Sequence, residues 1–323
     1  MFCFEGIVMN LNVFRGREPF PNYTLADIPV DKMLTITVAR DTERVRPLVA
    51  GAILRGVKFD RDSFGSFLSL QGKLHQNLAR ERTLVAIGTH DLDTLCGPFT
   101  YEALPPKDIS FVPLNQTRRM NGEELMQFYE SDKDLSTYLP IIRDHDVYPV
   151  IFDANRTICS LPPIINGHHS AITLDTTNVF IELTATDATK LDIVCNIMVT
   201  MFSRYCKDKF TIEPVRIISE HNGATRITPN LTKRTMSVEV DYLNQCCGLS
   251  ESPEKLSKLL ERMGYDARPA GESRIDVDVP PTRADVLHAC DIVSYIVDSL
   301  SPLLYALLES EWSFFFFFAN LTT

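Results

Sequence analysis

NVFIELTATDATKLDIVCNIMVTMFSRYCKDKFTIEPVRI, residues 178–217, holds a strand, a helix and a second strand in succession. NVFIELTA (178–185) is apolar and β-branched enough for a strand. Leu191, Val194, Ile197, Met198, Met201, Phe202 and Tyr205 then recur every three or four residues, which predicts a helix over 187–206. Asp187 stands where a first turn takes its cap. FTIEPVRI (210–217) returns as a strand.

The residues before this stretch read in the same way. LTITV and LVAGAILRGV, within 33–58, are strands joined by the charged turn Arg40–Arg44. Phe64, Phe67, Leu68, Leu74 and Leu78 place a helix over 63–80, and LVAIG (84–88) is a buried strand followed by THDLDTL. Residues 97–122, rich in Pro, Asn and Gly, read as loop, and EELMQFYE (123–130) as a short helix. YPVIFD and TICSL flank Ala154–Arg156 as a hairpin. Strands and helices mixed in this order predict an α+β fold around a mixed sheet.

A polar stretch, SEHNGATRITPN (219–230), reads as a linker into a small helical or winged α+β domain. In SPEKLSKLLERMG, Ser252 caps, Pro253 takes the first helical position and Gly264 ends the helix. RIDVDVP (274–280) alternates as a strand, and PPTRADVLHACDIV opens another helix near Asp285. The amphipathic start, with Phe4, Ile7, Val8 and Leu11, reads as a helix that something once preceded, and is not a secretion signal. At the other end five consecutive phenylalanines match no helix or strand period. Asp298, Pro302, Glu309 and Glu311 interrupt the apolar content there, so the end reads as a foreign tail rather than a membrane anchor.

A formal net charge of −10 means that any RNA contact needs a local patch or a partner chain. Eight cysteines without a C-x-x-C pair suit reduced thiols in a cytosol, not a disulfide framework or a zinc site.

Five strings in order carry a family resemblance: GTHDLDTLCGPFTYEA (88–103), VYPVIFD (147–153), SLPPIINGHHSAIT (160–173), IELTATDATK (181–190) and VPPTRADVLHACDIV (279–293). Together they resemble the β subunit of phenylalanine–tRNA ligase, of the archaeal and eukaryotic cytosolic type, from about Phe2 to Val293. The resemblance implies a remnant of the N-terminal region at 1–39, a tRNA-editing domain at 40–218 and a linker at 219–225. It implies a small helix-rich domain at 226–295 before a missing catalytic-like module, and a non-family tail at 296–323.

The expected activity is support of phenylalanine attachment together with hydrolytic editing of tyrosyl-tRNA. A non-catalytic tRNA-binding or subunit-interaction fragment is the alternative. The expected partners are the α subunit, in an α2β2 assembly, and phenylalanine tRNA, with no membrane and a cytoplasmic location. ATP and Mg2+ belong to the whole enzyme, and this chain alone is expected to hold neither tightly.

Editing answers a chemical problem, because tyrosine is phenylalanine plus one hydroxyl. An apolar pocket rejects an added hydroxyl by only ~100-fold. By resemblance, the editing site takes Leu161 as wall, Asp187 as anchor for the phenol or amino group, and Ser170 and Thr189 as hydrogen-bonding partners. His90 either lines that site or makes a structural hydrogen bond. Asp187 and Thr189 fit a plain helix start equally well, and His168 and His169 are neighbours that point apart if extended. The family's magnesium ligands fall on Asp285 and Asp291 and on two further acids, and this chain has Ser294 and Tyr295 at the latter positions. Asp285 as helix cap and a solvated Asp291 is the simpler expectation here.

Overall fold

A computed structural model describes residues 3–300. The five phenylalanines at 314–318 lie outside them. The chain divides into two compact units: residues up to Gly6 together with Pro21–Leu231, and Ile7–Phe20 together with residues from Thr232 on. The first helix, α1 (Phe4–Phe14), is divided by that boundary.

The larger unit is a mixed sheet with helices on it. Its strands begin with β1 (Thr24–Leu25), β2 (Leu34–Val38) and β3 (Leu48–Leu54). The helix α2 (Arg61–Gln76) follows, with Asp60 and Ser63 forming a reciprocal capping box. Next come β4 (Val85–Asp91), β5 (Phe99–Leu104), the two-residue pair β6 (Ser110–Phe111) and β7 (Met120–Asn121), and α3 (Gly122–Phe128). The hairpin β8 (Tyr148–Phe152) and β9 (Ile158–Leu161) leads into β10 (Ile165–Asn166) and β11 (Val179–Ala185). The helix α4 (Ala188–Phe202) packs on β3 and β11, and β12 (Thr211–Ser219) and β13 (Thr225–Thr228) complete the unit.

The strand order is β10-β9-β8-β5-β2-β12-β3-β11-β4, with β1 and β13 both on β12. β2 runs parallel to β5 and β12, and the remaining pairs along this path are antiparallel. The sheet curls until its two ends meet. Asn166 of β10, the first strand of the path, donates Nδ2–H to the carbonyl of Thr89 in β4, the last strand, at 3.1 Å. Ile36, Val38, Phe99, Tyr101, Phe180, Val215 and Ile217 fill the curl, and Phe99 stacks on Phe180 with centroids 4.5 Å apart.

Two sequence expectations are corrected. Residues 97–122 are not all loop: β5 alternates buried Phe99, Tyr101 and Ala103 with half-buried Thr100, Glu102 and Leu104. Its flanking prolines hide that period. β2 and β3 are joined through a 3-10 turn at Arg40–Arg44, as the sequence predicts, and β12 lies between them in the sheet. The stretch 219–225 is the turn of the β12–β13 hairpin rather than a linker, and Ser219 takes the Ala224 carbonyl across it at 2.9 Å.

The smaller unit has a three-stranded antiparallel sheet, ordered β14 (Arg234–Glu239), β16 (Arg274–Val279), β15 (Asp266–Pro269). It packs with α5 (Val240–Cys247), α6 (Pro253–Arg262) and α7 (Ala289–Leu300) around Leu243, Leu256, Leu260, Ile275, Val277, Ile292 and Ile296. Ser252 caps α6 and Pro253 opens it, as its sequence predicts. α7 begins at Ala289, four residues after Asp285. No helix among the described residues is long and apolar enough to cross a membrane.

Candidate active site

The seam where the sheet closes holds a cavity of about 640 Å3, a size usual for small-molecule sites. α2 contributes Leu68, Gln71 and His75, β4 contributes Gly88 and Thr89, and β11 contributes Glu182. The opposite wall is Pro162, Pro163, Ile164 and Ile165. Arg82 fixes that wall: its Nη1 donates to the carbonyls of Pro163 at 3.1 Å and Ile164 at 2.9 Å. The same guanidinium lies 4.1 Å from the centre of the Tyr138 ring. Arg80, Glu81 and Arg82 all have left-handed backbone, with φ of 48°, 52° and 65°. That conformation costs roughly 1–2 kcal/mol for each residue with a Cβ. Strain is thus concentrated in the three residues that deliver Arg82 to the wall.

Glu182 is the buried carboxylate among the polar residues of the cavity, which include Gln71, His75, Arg82 and Asn166. It sits mid-strand in β11 and is 2% exposed. Its Oε1 accepts from the Ser160 hydroxyl at 2.8 Å, whereas its Oε2 is buried without a protein partner. Buried carboxylate oxygens are normally satisfied, so an orphaned one at a cavity wall marks a place for a donor from outside. Gly88, opposite Glu182 in β4, makes room for it: a Cβ there would lie 2.2 Å from Glu182 Oε1. Behind the carboxylate, His90 Nε2 is 3.8 Å from Oε1, and His90 Nδ1 is 2.8 Å from Ser170 Oγ.

His75 also faces the cavity. The Ile87 N–H donates to its Nε2 at 2.8 Å, which requires a neutral ring at that nitrogen. Burial, with smaller contributions from the Arg82 and Arg46 guanidinium groups, pushes its pKa down to about 3.

The residues singled out in the sequence are distributed unevenly around this cavity. Leu161 is fully buried at the end of β9, in the core beneath the proline wall. Ser170 and His90 are both buried and bonded to each other, and they meet Glu182 from behind. Asp187 caps α4, accepting from the Lys190 N–H at 2.8 Å, and Thr189 is exposed in the first turn of that helix. Neither Asp187 nor Thr189 lines the cavity. Glu182, His75 and Arg82 are additions that sequence reasoning missed. Glu182 had a signal, since a carboxylate inside an otherwise apolar strand is rarely buried without a task.

In the smaller unit the expected magnesium ligands do not fit a divalent ion. Arg283 holds Asp285 through two bonds of 3.1 and 3.0 Å, and the Tyr295 hydroxyl donates to the same carboxylate. Asp291 Oδ2 accepts the Leu287 and His288 N–H groups at 2.7 and 2.8 Å, and these bonds hold its pKa down. The expected roles are therefore exchanged: Asp291 caps the start of α7, and Asp285 is an ion-pair partner. Serine and tyrosine at 294 and 295 add no carboxylate to the set, and the two carboxylates present are already engaged by Arg283, Tyr295 and the backbone.

Comparison with known proteins places both units. Residues 75–207 match the B3/4 domain, and residues 236–297 match the tRNA synthetase B5 domain. The chain is 54% identical to the phenylalanine–tRNA ligase β subunit of Schizosaccharomyces pombe, over 91% of this chain and 49% of that protein. It is 48% identical to the human β subunit, over 91% of this chain and 50% of that one. The chain belongs to the phenylalanine–tRNA ligase β subunit family. It spans about half the length of these relatives. A crystal structure of an N-terminal fragment of the Pyrococcus horikoshii phenylalanyl-tRNA synthetase β subunit superimposes with a TM-score of 0.84 at 29% identity. That superposition covers 92% of this chain and 82% of the fragment. Within this β subunit family, the cavity at the sheet seam falls in the B3/4 match, and the Asp285–Arg283 pair falls in the B5 match.

Proposed function

We propose that this chain is the N-terminal half of a phenylalanine–tRNA ligase β subunit and that its larger unit hydrolyses tyrosine from mischarged phenylalanine tRNA. The single observation that carries this reading is Glu182, which lines a cavity with an apolar, proline-stiffened wall and whose buried Oε2 has no partner among the described residues. A tyrosyl ring lies against Pro162–Ile165 and donates its phenolic hydroxyl to Glu182. Phenylalanine leaves that carboxylate oxygen buried and unpaired. Sites built around a substrate hydroxyl discriminate by as much as ~10,000-fold against the analogue that lacks it.

In the reaction, a water oxygen attacks the ester carbonyl, the bond to the ribose oxygen breaks, and that oxygen takes the proton. No side-chain nucleophile paired with a base faces the cavity among the described residues, so this reading uses water held by the substrate and nearby backbone. Attachment of phenylalanine, which consumes ATP with Mg2+, requires the α subunit and the other half of the β subunit. One relative is the cytoplasmic β subunit of Arabidopsis thaliana, and the same compartment is assigned here.

Incubating the purified chain with tyrosyl-tRNA and phenylalanyl-tRNA tests the reading. Selective release of tyrosine, abolished in Glu182→Ala, supports it. Selective release that survives Glu182→Ala removes Glu182 from the role, and absence of selective release from a folded chain returns the non-catalytic binding fragment as the better account.

A further inference from the structure

A second depression lies beside the cavity, with a volume of about 500 Å3. The ridge between them is built by two bonds: Leu114 N–H to the Asn166 carbonyl and His168 N–H to the Val112 carbonyl, both 2.9 Å. Gln116 faces both sides of this ridge, lining the cavity and the groove alike. Gly167 lets the ridge lie flat, since a Cβ there would lie 2.7 Å from the Ile158 carbonyl oxygen.

The groove differs in charge from the chain as a whole. The chain carries 42 acidic and 32 basic residues, yet among the described residues no carboxylate lines the groove. Its polar lining includes Arg119, Arg156, His168, His169 and the Thr117 and Thr157 hydroxyls, over a floor containing Phe111 and Ile158. Arg156 is held by Glu102 and lies over the Phe152 ring. Among the described residues Arg119 donates one bond, to the Ser110 carbonyl at 2.8 Å, and it is exposed. His168 and His169 are exposed, and burial of the His169 ring, together with the neighbouring His90, lowers its pKa. The two exposed histidine rings offer faces for stacking, while the arginines offer donors to phosphate. Cations beside flat rings are the chemistry that holds single-stranded nucleic acid.

We propose that this groove binds the single-stranded RNA just 5′ of the esterified adenosine, with Arg119 on a phosphate and the two histidines against the bases. The inference rests on the editing reading, because the ester must lie in the adjoining cavity while its preceding nucleotides leave across the Gln116 ridge. It assigns the groove a ligand and gives the acidic chain its local nucleic-acid contact.

The test uses a fluorescein-labelled RNA tetranucleotide, ACCA, and reads anisotropy with the whole chain. Arg119→Glu is expected to weaken binding by about tenfold, the loss of one charge-assisted contact. Arg119→Lys should recover most of it. Far-UV circular dichroism confirms that each variant is folded. Absence of ACCA binding by the wild type, or Arg119→Glu binding within about twofold of wild type, overturns the proposal. Failure of the editing reading looks different: ACCA binds and responds to Arg119→Glu, but tyrosyl-tRNA is not hydrolysed.

Discussion

Gly88→Ala probes the central contact of the cavity. The added Cβ would lie 2.2 Å from Glu182 Oε1, 2.7 Å from its Cδ and 3.1 Å from its Cγ. The carboxylate must retreat by about 1 Å to restore ordinary contact distances. The backbone cannot share the movement, because β11 pairs with β3 on one side and β4 on the other along its whole length. The retreat breaks the 2.8 Å bond from Ser160. Losing a hydrogen bond to a charged group costs roughly 1.5–3 kcal/mol, and overpacking roughly 1–3 kcal/mol, so about 2.5–6 kcal/mol is expected. Urea denaturation of the wild type, each single variant and the double variant Gly88→Ala/Glu182→Ala measures it. Gly88 has no positive φ, so alanine fits its backbone once the carboxylate is gone. In the Glu182→Ala background, Gly88→Ala should cost less than about 1 kcal/mol, or stabilise slightly through the unfolded chain. Equal costs in the two backgrounds would refute the argument that Gly88 exists to admit Glu182.

Three further outcomes follow from the contacts. His75 is protonated in the unfolded chain below its ordinary value of 6.5 but stays neutral in the fold until about 3. The unfolded state therefore binds more protons in that window, and stability falls as pH falls through it by up to about 1.4 kcal/mol per unit. His75→Gln, whose amide oxygen replaces the acceptor for Ile87, should flatten the slope of urea stability between pH 6 and 4.5, roughly within that window. Asp187→Ala should lose about 1 kcal/mol by removing the α4 cap, while Asp187→Asn should lose almost nothing. A matching drop in tyrosyl ester release for both variants would give the carboxylate a direct part in the reaction. Millimolar Mg2+ should not shift the thermal unfolding of the chain, since Arg283 and Tyr295 already hold Asp285; a clear upward shift, removed by Asp291→Asn, would contradict that.

The fold was legible wherever a period could run uninterrupted. α4 and α6, with their caps at Asp187 and Ser252, and the β8–β9 hairpin came from local spacing alone. β5 did not, because its prolines signal loop and its pairing partners are distant in sequence. The site was harder still for the same reason. Thr89 meets Asn166 across 77 residues, and Ser160 meets Glu182 across 22, and only closure of the sheet brings either pair together. The resemblance directed attention to Ser170 and His90, and the structure sets both behind Glu182. It could not separate a carboxylate that caps a helix from one that faces a ligand. Asp187 and Glu182 are five positions apart in one quoted stretch, and what divides them is burial. Asp187 spends its Oδ1 on the Lys190 N–H at a half-exposed helix start. Glu182 keeps one oxygen unspent where water is scarce, and that residual demand for a donor makes it the better candidate for reading a phenol.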